Sequence, residues 1–255
     1  MMSLVNALPG AVAQGLIWGI MAIGVYLTFR ILDIADLTVD GSLGTGGAVC
    51  IMLMLSGQNV WVSMAGATAA GMAAGLATGI LHTFMGIPAI LAGILTQLGL
   101  YSINLKTMGK ANQAINVDKY DLLVSLRFIR KVPFYRNTIL MVAITIIILI
   151  AVLYWFFGTE LGCSLRATGC NDKMARAQGI NTDLSRVLGL MISNGLVALS
   201  GAMLCQYQGF ADINMGRGAI VIGLAAVIIG EAIFGKIFRN FGLKLLGVAL
   251  GSIIY

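Results

Sequence analysis

The chain has 255 residues, 59% of them hydrophobic and only 10% charged, with a formal net charge of +6 and a mean hydropathy of +0.95. Soluble domains carry about a quarter charged residues, so this composition excludes an ordinary soluble domain and indicates an all-α polytopic protein in a lipid membrane. In such a chain Lys and Arg mark loops and topology rather than nucleic-acid binding, and no nucleic-acid partner is expected.

The first 29 residues contain no Lys or Arg. A secretory signal needs a basic n-region, so the opening helix is expected to be retained. A spanning helix needs about 20 apolar residues. The hydropathy pattern predicts spans over about 9–31, 60–84, 86–107, 138–158, 185–208 and 219–235, with a shorter apolar piece at 42–57. Residues 241–255 begin another helix that stops at Tyr255, so one or two further helices are expected beyond it and about eight or more in all.

Two polar, glycine-rich segments interrupt this pattern: DIADLTVDGSLGTGG at 33–47 and GFADINMGRGAIVIG at 209–223. Aligned on Ala-Asp, they share A-D-[LI]-[TN]-[VM] at 35–39 and 211–215. Each follows one apolar helix and precedes another. Paired interruptions of this kind indicate an inverted-repeat transporter with broken helices along its pathway, here with halves at about 9–107 and 185–255 in a single transmembrane domain. Candidate pathway residues are Asp36, Thr38, Asp40, Ser42, Asp212, Asn214, Arg217 and Glu231. Asp33, Asp36 and Asp40 can alternatively cap a helix start or bind cations. Glu231 can line the pathway, pair with Arg217 or with a basic residue near the cytoplasmic end, or sit at a helix end near Lys236; an intramembrane carboxylate is a functional candidate by default.

Between the spans, Gly71, Gly75 and Gly79 lie on one helix face and read as a close-packing stripe. His82, near a helix end before Gly86 and Pro88, reads as a hydrogen-bonded helix-end residue. Cys50, Cys163, Cys170 and Cys205 show no CxxC spacing and read as small fillers rather than metal ligands. GEAIFGKI (230–237) misses the P-loop pattern because Ile237 replaces the Ser or Thr that holds Mg²⁺, and no strand precedes it. No nucleophile–base constellation is present, so the chain is expected not to be an enzyme.

The most polar stretch is LGCSLRATGCNDKMARAQGINTDLSR, 161–186. Asn171 or Asp172 can cap a helix start, and Gly179 followed by Ile180 suits a left-handed C-terminal cap. A helix so short is marginal in water, so it needs a partner surface, in the helix-in-groove mode. If this loop is cytoplasmic, Arg30, Lys236 and Arg239 fall on the same side and the N-terminus outside. The loop 108–137, with Lys110, Lys119, Arg127, Arg130, Lys131 and Arg136, then falls outside, against the positive-inside rule. Its segment DLLVSLRFIRK (121–131) looks amphipathic and suited to the membrane surface.

G-C-S-L-R-A-T-G-C-N-D-K-M-A-R-A-Q-G-I (162–180) resembles the cytoplasmic coupling segment of ABC importer permeases of the branched-chain amino acid and ribose type. The matching positions are Gly162, Leu165, Arg166, Ala167, Gly169, Asn171, Ala175, Ala177, Gly179 and Ile180. DLTVDGS (36–42) is similar to that family's D-L-S-x-G-S element, with Asp40 inserted, and LSGAML (199–204) and GLAAVIIG (223–230) fit as well. The likeness runs from about 15 to 251 and leans toward a subgroup serving aromatic or other amino acids. It implies a bacterial inner-membrane subunit, paired with a second permease copy, in a homodimer. A substrate-binding protein would dock outside. An ABC ATP-binding subunit would hold ATP and Mg and grip the coupling loop 159–186, so this chain itself would bind no cofactor or metal. The residues alone also allow an ion-driven secondary transporter using Asp36, Asp40 or Glu231, or a non-transporting scaffold.

Overall fold

The computed structural model describes residues 2–115, 122–125, 138–236, 238 and 240–255, with side chains from Leu8 onward. Lys119, Arg127, Arg130, Lys131, Arg136, Ile237 and Arg239 lie outside the described residues. The elements are α1 (Met2–Tyr26), a π-turn (Leu27–Ile31), α2 (Thr38–Leu55), α3 (Val60–Thr83), α4 (Ala89–Met108), β1 (Asn112–Ala114), α5 (Thr138–Phe156), α6 (Glu160–Cys170), α7 (Asp172–Ala177), α8 (Thr182–Gln208), β2 (Phe210–Asp212), α9 (Ala219–Phe234) and α10 (Phe241–Ile254). Six helices are long and apolar enough to span a membrane, and α9 and α10 are shorter apolar helices. The protein is an all-α polytopic membrane protein whose described strands are one short pair, β1 against β2, in antiparallel register Asn112↔Asp212 and Ala114↔Phe210.

Helix α8 is the axis of the molecule. At 27 residues it is about 40 Å long, more than the roughly 30 Å hydrocarbon core. Its spanning window is 78% buried, against 22% for both α4 and α5, which form the perimeter. Helices α1, α2 and α3 lie along α8; α10 lies along α1 and α9. In lipid, close approach replaces the hydrophobic effect as the packing device. A Cβ on Gly71 or Gly75 of α3 would overlap the backbone carbonyl of Asn194 or Leu190 in α8, and Gly79 faces Val187. The expected glycine stripe is therefore the α3–α8 seam.

The two ends of the bundle differ. At one end lie Arg30, the α3–α4 turn and the α6–α7 pair; at the other, β1 and β2 join the loops after α4 and α8. His82 accepts or donates through Nδ1 at 2.9 Å from the Ile87 carbonyl, as a helix-end residue.

Several boundaries depart from the sequence expectation. Helix α2 starts at Thr38, four residues before 42, because Asp36 anchors its first turn. Helix α4 starts at Ala89, after Pro88. Residues 160–170 form α6, a separate helix capped by Thr159, rather than loop. Of the segment expected on the membrane surface, 122–125 is described, and it packs inward: Leu122, Val124 and Ser125 are buried, and the Leu123 amide donates to Gln206 Oε1.

Candidate functional site

The first candidate element is α7. Its start is set by Asn171, whose Oδ1 accepts from the Met174 amide at 3.1 Å. Its end is a Schellman turn: Gly179 has φ 83°, its amide donates to the Arg176 carbonyl, and Ile180 donates to the Ala175 carbonyl. Both caps are those expected from the sequence. Ala175 turns inward and is 4% exposed, whereas Lys173, Met174, Ala177 and Gly179 face solvent. The outward surface is thus supplied by residues flanking Ala175.

Charged pairs tie α7 to the first turn of α8. Arg176 donates to Asp183 at 2.7 Å and to Thr182 Oγ1 at 2.7 Å, and Arg186 reaches Asp172 at 3.3 Å. Burial opposes ionisation of Asp172, but the Thr182 hydroxyl, Arg186 and Arg176 together hold its carboxyl below the usual range. These pairs are partly exposed, so each contributes little alone; as a network they fix the angle between α7 and α8.

Helix α6 is the base beneath α7. Gly162 abuts Phe156 and Phe157, and Gly169 abuts the Ile31 carbonyl, both closer than a Cβ allows. Ala167 is half-buried. Arg166 is exposed and also packs within the chain. Its guanidinium lies 5.3 Å from the Phe157 ring and 4.6 Å from the Phe241 ring, and donates to the Phe157 carbonyl at 3.1 Å. It braces α6 against the start of α10.

The second candidate element is the pair of helix interruptions. Asp36 is 2% exposed, with Oδ1 accepting from the Thr38 amide at 2.9 Å and Oδ2 accepting from Asn194 Nδ2 at 2.7 Å. Asn194 Oδ1 accepts from Ser42 at 2.6 Å. The Thr38 hydroxyl lies 2.7 Å from that of Thr78, which donates to Thr96 at 2.9 Å. Four helices, α2, α3, α4 and α8, therefore meet in a fully paired polar cluster. Asn194, Thr78 and Thr96 are absent from the sequence-derived candidates: each is a lone polar residue in an apolar run, a weak signal whose meaning appears once the helices are assembled.

The second interruption repeats the first. Asp212 Oδ1 accepts from the Asn214 amide at 2.7 Å, the same turn as Asp36 with Thr38 at the aligned positions. Asp40 then joins the two. Its carboxylate accepts from the Gly218 amide at 3.0 Å and the Ile220 amide at 2.9 Å, capping α9 rather than its own helix. Gly216, aligned with Asp40, lies against the Asp40 carbonyl so closely that no Cβ fits. A carboxylate at a helix N-terminus is stabilised by the free amides and the helix dipole. Arg217 is exposed and lines a cavity beside Asp40.

Glu231 stands apart from these groups. It pairs with Arg30 at 3.0 Å, at the α6–α7 end of the bundle, and not with Arg217 or Lys236. The alternative of a partner near that end is the one observed.

A transmembrane bundle whose two helix breaks meet, with a capped helix outside, narrows the class of protein. The family model of the branched-chain amino acid transport system permease component matches residues 8–255. The chain belongs to this permease family. A tyrosine transport system permease protein of Clostridioides difficile (strain R20291) is 38% identical over 250 residues, covering 98% of this chain and 81% of that protein. An uncharacterised protein of Rickettsia prowazekii (strain Madrid E) is 37% identical over 92% of this chain and 81% of its own length. The autoinducer 2 import system permease protein LsrC of Yersinia pestis (strain Pestoides F) is 30% identical over 83% of this chain and 58% of its own length. The permease is a multi-pass membrane protein and a transport component of an ABC-type import system, a role that implies an ATP-binding subunit and a substrate-binding protein.

Proposed function

We propose that this permease is the transmembrane subunit of an ATP-driven importer of a small solute, an amino acid, in the bacterial inner membrane. The solute would arrive from an extracytoplasmic binding protein, and two permease copies would enclose the path. The observation that carries this reading is α7: a helix capped at both ends, exposed on one face, and ion-paired to the longest helix of the bundle. ATP and Mg belong on the separate ATP-binding subunit that grips it. The amino acid is suggested by the relative named for tyrosine transport.

The same reading gives a mechanical route. A push on α7 reaches α8 through Arg176–Asp183 and Arg186–Asp172. Helix α8 carries Asn194, which holds Asp36 and Ser42 of the first break. Asp40, one turn on, holds the start of α9. Motion at α7 can therefore tilt both breaks together, which is the switching alternating access needs. We also read the halves as an inverted repeat. The matching Asp36 and Asp212 turns support it, as does the fact that α3 lies on α2 and α8 just as α10 lies on α9 and α1.

Ala175→Asp places a charge in a buried slot and should detach α7 from its base; Gly179→Val forces a β-branched residue to a positive φ, where it is strained. In the complete transporter both are expected to cut ATP-driven uptake at least about tenfold, equivalent to roughly 1.4 kcal/mol, while the bundle stays folded by thermal melt. Wild-type uptake per ATP hydrolysed in both variants would remove α7 from the coupling role.

A further inference from the structure

We propose that the cavity between α2, α4 and the 213–217 segment is a binding site for the carboxylate of the transported solute, so that the permease itself takes part in selection. The inference rests on the import function proposed above and deepens it. The cavity has a volume of about 280 Å³, near the lower end of small-ligand sites at about 300 Å³.

Two walls carry groups that lack a partner. Arg217 makes no ion pair among the described residues, although its guanidinium cannot lose its charge. Asn104 is only 3% exposed, lines the same cavity, and has no hydrogen-bond partner among the described residues. Its side-chain amide is not sealed off from the cavity and is free to hydrogen-bond a molecule bound there. Gln97, Tyr101 and Asn104 stand at spacings of four and three along α4, which puts all three on one face. Asp40 forms the opposite wall, but its charge is already taken up by the α9 amides. The charged group with free hydrogen-bond donors facing the cavity is therefore Arg217. A guanidinium with a nearby amide donor is the chemistry that recognises a carboxylate, while Leu98 and Ile213 supply apolar surface for the rest of the molecule.

The test uses the full chain in nanodiscs, with Cys163→Ser and Cys170→Ser to remove the exposed thiols and Leu98→Cys as a reporter at the cavity wall. The readout is the rate of maleimide labelling. L-Phenylalanine is expected to slow labelling at least about threefold, and phenethylamine, which lacks the carboxylate, to leave it unchanged. Arg217→Gln, or Asn104→Leu where the first variant does not fold, should weaken protection about tenfold, as expected for one charge-assisted hydrogen bond. Equal protection by phenethylamine, no protection by phenylalanine, or protection surviving both substitutions would overturn the site. Labelling needs neither ATP nor a partner subunit. Failure here therefore leaves the import function standing, and failure of ATP-driven uptake leaves the labelling result standing.

Discussion

Asn194→Leu is expected to destabilise the folded permease by about 2–4 kcal/mol. The substitution keeps the volume but removes both the donor to Asp36 and the acceptor from Ser42. Each buried group left unpaired costs about 1–3 kcal/mol. The sum is reduced because helices separated within a membrane also find polar partners. A lower thermal midpoint in detergent, together with lost uptake in the complete transporter, is the expected result. An unchanged midpoint would mean that the cluster is not what fastens α2 to α8. Asp36→Asn, which keeps the shape and an acceptor oxygen, should be the milder change.

The second large effect is steric. A Cβ on Gly46 would overlap the Ala198 carbonyl, which is backbone and cannot swing away. Gly46→Ala therefore has to move α2 off α8, and the Ser42–Asn194 bond goes with it. Overpacking of this kind costs about 1–3 kcal/mol, or more where backbone must shift, and about 3 kcal/mol or more is expected here. Gly99 supplies the control: it is also helical, but a Cβ there meets nothing within 4 Å. Gly99→Ala should be neutral or stabilising by up to about 1 kcal/mol, from helix propensity alone. Thermal midpoints of the two variants in one detergent separate close packing from propensity; equal losses would contradict the packing argument.

Much of this architecture was legible in local patterns. Hydropathy located the spans because each needs about 20 apolar residues, and the Asn171 and Gly179 caps of α7 depend on residues a few positions apart. The paired interruptions were also visible, since Ala-Asp recurs with matching neighbours. What the sequence could not supply were partnerships across long separations. Asp40 looks like a cap for its own helix, yet it caps α9, nearly 180 residues later. Arg166 reads as a surface charge and is exposed, but its place over the Phe157 and Phe241 rings appears only once α6 and α10 are assembled. Glu231 could be assigned a charge partner only after α1 and α9 were seen side by side. Asn104 is a lone polar residue at the end of an apolar span, and its place on a cavity wall opposite Asp40 appears only in the folded chain. Fold class is written in periodicity; site composition is written in tertiary contacts between single polar residues.

The driving force of transport tests the central claim most directly. The permease would be reconstituted with its ATP-binding subunit and binding protein, and uptake of a labelled amino acid followed with ATP inside the vesicles. Uptake is expected to require ATP hydrolysis and to persist when an ionophore collapses the Na⁺ and H⁺ gradients. Uptake that continues without the ATP-binding subunit and stops with the ionophore would instead make the permease an ion-coupled carrier.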